Sequence, residues 1–120
     1  MVRPVRVLVV DDEEDMRLLV STVLSDGFHV IAEAADGAEA LSAWQAETPD
    51  VMVLDYRMPG LNGIEVAARI LRDDPDAIIV LFSAFLTDEM REEARLLGVR
   101  GCLPKSHVFE LPGMVRGLVV

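Results

Sequence analysis

The chain has 120 residues, 52% of them hydrophobic, and its 21 acidic and 11 basic side chains give a formal net charge of −10. This length predicts one domain, residues 1–120, with enough apolar residues for a core. The acidic balance argues against direct contact with nucleic acid, whose phosphates would repel the domain. No apolar run approaches the roughly 20 residues of a membrane span, and the short N-terminal run is a poor signal peptide. With one cysteine an internal disulfide is impossible, which fits a reducing, cytoplasmic location.

Five short apolar runs predict strands. Three of them are near-continuous stretches of β-branched or aliphatic residues, which is typical of parallel strands buried on both faces. The predicted strands are residues 5–10, 29–34, 51–55, 77–82 and 100–104, and the last has the weakest pattern.

Helical patterns fill the stretches between the predicted strands. Four of these stretches carry a helix start or stop signal. The start residues are Asp36, Asn62 and Thr87, and the stop residues are Gly27 and Gly98. The C-terminal stretch "ELPGMVRGLVV" predicts only a weak helix, because Gly113 and Gly117 lower its helix propensity.

The alternation of strand and helix predicts an α/β fold. Right-handed crossovers then give a parallel sheet with helices on both faces. The chain length limits this to a five-stranded, flavodoxin-like, doubly wound sheet with strand order 2-1-3-4-5. Ligands of such sheets bind at the carboxyl ends of the strands, where the winding direction reverses. Here that point lies between the first and third strands.

Polar residues stand at the ends of four predicted strands. Asp11 and Asp12 follow the first strand, and Asp55 ends the third. Two carboxylates about 4 Å apart repel by roughly 4 kcal/mol at an effective dielectric constant near 20, so we expect a cation such as Mg²⁺ among them. A carboxylate can also act as a nucleophile toward phosphorus. Lys105 and the cation would then neutralise phosphoryl oxygens, and Ser83 would donate a hydrogen bond.

Four motifs occur in order along the chain: "VVDDEEDMR", "DVMVLDYRMPGLNGIEV", "VLFSA" and "GVRGCLPKS". With these motifs the sequence resembles the receiver domain of two-component response regulators, the family of the chemotaxis response regulator. The resemblance covers essentially all 120 residues. It implies that Asp55 is a phosphoacceptor, which takes a phosphoryl group from a phosphohistidine on a sensor histidine kinase or a phosphotransfer protein.

The resemblance also implies a metal site. Asp12, Asp55 and the backbone carbonyl of Arg57 would ligate Mg²⁺, with Mn²⁺ as a possible substitute. Asp11 would act largely through a metal-bound water. Because all three acids are present in this sequence, the implied donor set is complete.

Further residues are implied in phosphoryl binding and switching. Ser83, Lys105 and the backbone of Ala84 would bind the phosphoryl oxygens. Many family members carry Tyr or Phe three residues before the lysine, and that ring turns inward on activation. This chain has Cys102 there, so an aromatic switch is absent. Ser106 follows the lysine, a "KS" pair that resembles regulators with a helix-turn-helix output domain.

Other interpretations compete with this one. The acids of residues 11–15 could simply be a solvated helix N-terminus, where they suit the helix dipole. A phosphate-independent interaction module would explain Cys102. A metal-dependent phosphohydrolase of the haloacid-dehalogenase type is disfavoured, because Arg57 stands where its second acid would be. His29 and His107 are expected to lie away from the acids. We therefore expect that the chain is not an enzyme, and that it assists only its own phosphorylation and dephosphorylation.

The resemblance predicts the kinds of partner but not their identity. Upstream it implies a kinase or phosphotransfer protein. Downstream it implies either a separate protein or a C-terminal output domain, and a dimer linked to phosphorylation is compatible with it. The chain could be a bare single-domain regulator or the part of a DNA-binding regulator that precedes the output domain. No membrane partner is expected.

Overall fold

The computed structural model describes residues 3–119, in which five strands alternate with helices. The elements in chain order are β1 (Val5–Val10), α1 (Glu14–Val23), β2 (Phe28–Ala34), α2 (Gly37–Glu47), β3 (Val51–Leu54), α3 (Gly63–Asp73), β4 (Ile79–Ser83), α4 (Asp88–Leu97), β5 (Gly101–Pro104), a 3₁₀ segment (Lys105–Glu110) and α5 (Leu111–Val119). All five predicted strands exist, and their ends differ from the predictions by at most two residues. The largest shift is at β4, because Ala77 donates its amide to Asp74 in a turn before the strand begins.

The strands form one parallel sheet in the order β2-β1-β3-β4-β5, which confirms the predicted flavodoxin-like fold. β1 lies between β2 and β3, and its last residue pairs with the last residue of β3, Val10 with Leu54. The winding direction therefore reverses between β1 and β3. The residues that follow these two strands emerge side by side at the same edge of the sheet.

Each face of the sheet carries its own hydrophobic core. Along β1, Leu8 and Val10 belong to the core shared with α2, α3 and α4, whereas Val7 and Val9 belong to the core shared with α1 and α5. None of these four side chains is more than 1% exposed. Burial on both faces explains why three of the strands appear in the sequence as near-continuous apolar runs and do not alternate.

Side-chain caps fix the starts of three helices as predicted. Asn62 and Glu65 form a reciprocal capping box at α3. Asp36 and Thr87 each accept a backbone hydrogen bond at the starts of α2 and α4. Gly98 ends α4 with a positive φ of 103°, in agreement with the predicted stop.

Two helix predictions need correction. α1 ends at Val23, before the predicted stop, and Gly27 lies in the turn before β2 with a φ of 89°. The C-terminal stretch forms a regular helix, α5, despite its two glycines. Leu111 and Val115 of α5 are completely buried. Packing of this apolar face therefore outweighs the low local propensity.

No helix within residues 3–119 is both long enough and apolar enough to cross a membrane.

Candidate functional site

The backbones of the two buried acids are held by hydrogen bonds that extend the sheet. The Asp11 amide donates to the carbonyl of Ala34, and the Asp55 amide donates to the carbonyl of Val10, each at 3.0 Å. Both carboxylates are buried, with only 2% and 4% of these residues exposed. Asp12 is exposed at the rim. Carboxylate oxygens of these three acids lie within 4.8 Å of one another, as the strand order predicted.

Lys105 brings a positive charge into this cluster. Its Nζ lies 2.7 Å from Oδ2 of Asp11 and 3.2 Å from Oδ2 of Asp55, and its side chain is 10% exposed. Burial by itself would lower the pKa of the lysine, but the hydrogen bond to Asp11 and the charge of Asp55 raise it above its ordinary value. The ammonium therefore stays charged. Three carboxylates then face one ammonium group, so an additional cation would be attracted to the cluster.

The surroundings of Asp55 shift the pKa of its carboxyl group. Its pKa is raised from 3.8 to about 6: burial is the largest cause, the charge of Lys105 acts in the opposite direction, and the charge of Asp11 contributes to the rise. Desolvation dominates because the charged form of a carboxyl group loses water when it is buried. Such shifted groups are frequent at functional sites.

A pocket of about 170 Å³ opens beside Asp55. It is large enough for a phosphoryl group and a few waters, because a water occupies roughly 30 Å³ in the liquid. Its lining residues are Asp12, Glu13, Asp55, Arg57, Ser83, Ala84, Phe85 and Lys105. The structure thus gathers the predicted phosphoryl-binding residues around the predicted phosphoacceptor, and their roles remain predictions.

A larger hollow of about 400 Å³ lies between α2 and α3, around Trp44 and Arg69. It is lined by neither the clustered acids nor Lys105. Chemistry and not size therefore identifies the smaller pocket as the candidate site.

Cys102 and the histidines lie outside the acid cluster. Cys102 is half-buried on β5, where it packs against the core on the α4 side of the sheet. Burial raises the pKa of its thiol, which makes it a poor nucleophile. His107 contacts Glu110 in the 3₁₀ segment. Among residues 3–119, the group of side chains arranged to hold a metal consists of Asp11, Asp12 and Asp55.

Sequence reasoning missed Gly63, the first residue of α3. A Cβ atom at this position would lie 2.3 Å from the carbonyl oxygen of Asp55, so no larger side chain fits without movement of the backbone. The Gly63 amide also donates to the carbonyl of Tyr56 at 2.8 Å. The available signal was a glycine directly after the helix cap Asn62, at the end of the loop that follows the predicted phosphoacceptor.

Arg17 was missed as well. From α1 it donates Nη1 to the backbone carbonyl of Asp11 at 2.7 Å. Helical side chains lean toward the helix N-terminus, so a basic residue one turn into a helix can reach the loop before it. The position of Arg17 one turn after the acids was therefore the feature of the sequence that could have predicted this contact.

The fold is a doubly wound parallel α/β sheet, and the three acids at its switch point could hold a metal ion beside Lys105. Comparisons with known proteins identify the family. A family model for the response regulator receiver domain matches residues 7–114. The chemotaxis protein CheY of Listeria monocytogenes is 34% identical over 101 residues, which cover 83% of this chain and 85% of the relative.

Solved structures agree with this match. The signal receiver domain of NarL from Mycobacterium tuberculosis has a TM-score of 0.91 and 36% identity, with 98% of both chains covered. CheY of Borrelia burgdorferi, solved in complex with CheX, BeF₃ and Mg²⁺, has a TM-score of 0.92 and 26% identity, with 98% of this chain and 90% of that chain covered.

The chain belongs to the response regulator receiver domain family of two-component signalling. Some of its relatives are larger enzymes: the protein-glutamate methylesterase of Haloarcula marismortui is 45% identical over 78 residues, and the match covers 64% of this chain but only 21% of that protein's length.

Proposed function

We propose that this receiver domain accepts a phosphoryl group on Asp55, in a magnesium-dependent reaction, from a phosphohistidine on a sensor histidine kinase or phosphotransfer protein. The observation that carries the proposal is the contact of Lys105 Nζ with both Asp11 and Asp55, beside Asp12 and a pocket open to solvent. A lysine placed against the acceptor carboxylate also lies where a transferred phosphoryl group would carry negative charge.

The transfer would form one bond and break one bond. A carboxylate oxygen of Asp55 bonds to phosphorus while the phosphorus–nitrogen bond of the phosphohistidine breaks, and the electron pair of that bond stays on the imidazole nitrogen, which then takes a proton. Lys105 would pair with a phosphoryl oxygen. The hydroxyl of Ser83 and the backbone N–H of Ala84 would donate hydrogen bonds to the other oxygens.

The acids of the site fit Mg²⁺, since they offer hard oxygen donors within 4.8 Å of one another. Asp12 and Asp55 would hold the ion directly, together with the backbone carbonyl of Arg57, and Asp11 would act through a bound water. When bound, the ion supplies positive charge that offsets the repulsion of the acids and of the incoming phosphoryl oxygens. Mn²⁺ prefers the same donor types. The magnesium and BeF₃ in the CheY complex of Borrelia burgdorferi support this assignment.

Phosphorylation by a small-molecule donor tests the proposal. Incubation of the whole chain with acetyl phosphate and Mg²⁺ should add one phosphoryl group by intact mass, because one acceptor carboxylate faces the pocket. Asp55→Asn should add none, and omission of Mg²⁺ should slow the reaction strongly. Undiminished labelling of the Asp55→Asn variant would assign the phosphoacceptor elsewhere.

We propose that the chain acts as a signal transducer over residues 1–120 and catalyses only its own phosphorylation and dephosphorylation. Its output would pass to a downstream protein or to a C-terminal output domain, with no direct contact between this domain and nucleic acid or membrane. A dimer linked to phosphorylation is a further possible output, which sedimentation of the phosphorylated and unphosphorylated chain would detect.

One observation favours a second function. The half-buried Cys102 cannot reproduce the movement of an aromatic ring, which is compatible with an interaction module that works without phosphate. The two functions differ in one measurement: a partner of such a module would bind wild-type protein and the Asp55→Asn variant equally, with or without acetyl phosphate.

A further inference from the structure

Arg17 connects the loop of the acid cluster to a neighbouring strand. Its Nη1 donates to the carbonyl oxygen of Asp11 at 2.7 Å, and its Nε lies 3.2 Å from Oε1 of Glu33 on β2. The Arg17 side chain is only 17% exposed. A guanidinium held at two points in this way has little freedom, so the carbonyl of Asp11 has a fixed donor.

The carbonyl held by Arg17 belongs to the peptide unit between Asp11 and Asp12. A peptide unit is planar and rigid, so a donor that holds its carbonyl oxygen restricts the positions of both neighbouring α-carbons. The two acids on either side of this unit are both candidate ligands of the metal site. Arg17 therefore acts on the backbone that carries two of the three clustered acids.

Asp11 and Asp12 differ in how their side chains are held. The carboxylate of Asp11 accepts from the Glu13 amide at 2.9 Å and contacts Lys105. Asp12 is exposed, and its side chain makes no hydrogen bond or ion pair with any residue in the described range 3–119. No side-chain contact in that range therefore fixes the Asp12 carboxylate, and the point from which it extends is set by its backbone, the part of the loop that Arg17 holds.

We propose that Arg17 is a positioning residue of the magnesium site: by holding the Asp11–Asp12 peptide, it aims Asp12 at the ion. This inference rests on the magnesium site of the proposed function. Residues that orient metal ligands without touching the metal contribute about 10–100-fold to metal affinity in well-studied sites. We expect the lower end of that range, since the loop keeps its other anchors at Asp11.

The chain offers a matched control for the carbonyl bond. Arg6 Nη1 donates to the carbonyl oxygen of Thr48 at 2.8 Å, the same type of bond. Arg6 lies near the start of β1, whereas the acids follow its end. Loss of the Arg6 bond should lower stability without any effect on the metal site.

The experiment is a calorimetric titration of the unphosphorylated whole chain with magnesium chloride. Arg17→Met should raise the Mg²⁺ Kd about tenfold or more. Arg17→Lys, which keeps the charge and one donor, should recover part of the loss. Arg6→Met should stay within about twofold of wild type. Glu33→Gln, which removes the ion pair but keeps the carbonyl bond, should also stay close to wild type. If Arg17→Met does not fold by circular dichroism, Arg17→Gln takes its place.

Three outcomes overturn the inference. An unchanged Kd in the folded Arg17 variants would show that the loop aims Asp12 without the arginine. An equal loss in Arg6→Met would show that affinity merely follows stability. An equal loss in Glu33→Gln would assign the effect to the ion pair and not to the carbonyl bond. In all three cases wild-type protein binds Mg²⁺ and the proposed function stands, whereas a wild type that binds no Mg²⁺ contradicts the magnesium dependence itself.

Discussion

At the scale of a single residue, burial and the contact with Lys105 have opposite effects on the pKa of Asp55, and their balance affects the stability of the metal-free protein. The pKa of the Asp55 carboxyl group is raised to about 6, because burial raises it by more than the contact with Lys105 lowers it. A folded-state pKa above the unfolded value means that the folded protein binds the proton more tightly. The ionised carboxylate therefore reduces stability, and the reduction grows as the pH rises from about 4 to about 6.

We predict that Asp55→Asn stabilises the metal-free protein. A rise of the pKa from 3.8 to about 6 corresponds to a penalty on the order of 3 kcal/mol once the group is fully ionised. The neutral amide avoids this penalty, so we expect urea denaturation in EDTA at about pH 7.5 to show a gain of about 1–3 kcal/mol. The gain should be smaller at about pH 5, where the folded protein is largely protonated at Asp55.

Saturating Mg²⁺ provides the control, since a cation at the proposed site should stabilise wild type more than the variant. The difference between the two proteins should then shrink or change sign. A wild type that is more stable than Asp55→Asn in EDTA at both pH values would show that the Lys105 contact outweighs burial.

We predict a long-lived phosphoryl group because of the side chains at the mouth of the pocket. Arg57 and Phe85 both line it, and Phe85 is 74% exposed. Neither is a carboxylate or amide that could orient an attacking water. Arg57 could also pair with a phosphoryl oxygen. The double variant Arg57→Asn, Phe85→Glu should therefore lose phosphate faster than wild type, measured as first-order decay of purified phosphoprotein. An equal or slower rate would show that these side chains do not shield the bond.

At the scale of elements, the start of α3 packs directly against the end of β3. A Cβ at Gly63 would approach the Asp55 carbonyl oxygen to 2.3 Å, a distance that forces the loop or the helix to move. We predict that Gly63→Ala costs about 1–3 kcal/mol of stability, the range of other overpacked positions, and weakens Mg²⁺ binding. Thermal unfolding and a magnesium titration would measure the two effects.

Gly113 in α5 is the matched control for Gly63, because a Cβ there would meet nothing within 4 Å. Gly113→Ala should raise stability by about 0.5–1 kcal/mol through helix propensity. If both alanine variants behaved alike, the close approach at Gly63 would not be the cause of the loss.

We predict that the segment that joins β4 to α4 transmits the signal. Ser83 is buried at the end of β4, Ala84 and Phe85 are exposed, and Thr87 caps α4. We predict that a beryllofluoride phosphoryl mimic changes NMR shifts or amide exchange in residues 84–90. The physical reason is that the thiol of Cys102 is too small to reproduce the volume change of a moving aromatic ring. Changes confined to Cys102 that leave residues 84–90 unaffected would contradict this route.

At the scale of the whole molecule, a metal ion bound to the acid cluster would link metal binding to folding. A ligand that binds only the folded state stabilises it by mass action, by about 2.7 kcal/mol at a concentration 100 times its Kd. We predict that millimolar Mg²⁺ raises the melting temperature of wild type and raises that of Asp12→Asn much less, because this variant loses one negative charge at the proposed metal site. Equal shifts in both proteins would place the metal elsewhere.

Much of this protein was predictable from sequence alone. Strand and helix order, the sheet topology and the caps at Asn62 and Thr87 follow from local patterns, because periodicity and capping depend on residues close together in the chain. The meeting of Asp11 with Asp55 also followed, since the topology of a parallel sheet brings the ends of β1 and β3 together.

Other features were decided only by tertiary structure. The helix at α5 forms because Leu111 and Val115 are buried against distant strands, which no local propensity reports. The contacts of Arg17 with the Asp11 carbonyl and of Gly63 with the Asp55 carbonyl depend on how α1 and α3 seat against the sheet. Distances of this kind result from the packing of whole elements, whose side chains fill the space between them at near-crystalline density. Sequence therefore determined which strand-end residues reach the site, whereas packing determined how they are held there and brought Arg17 and Gly63 into contact with them.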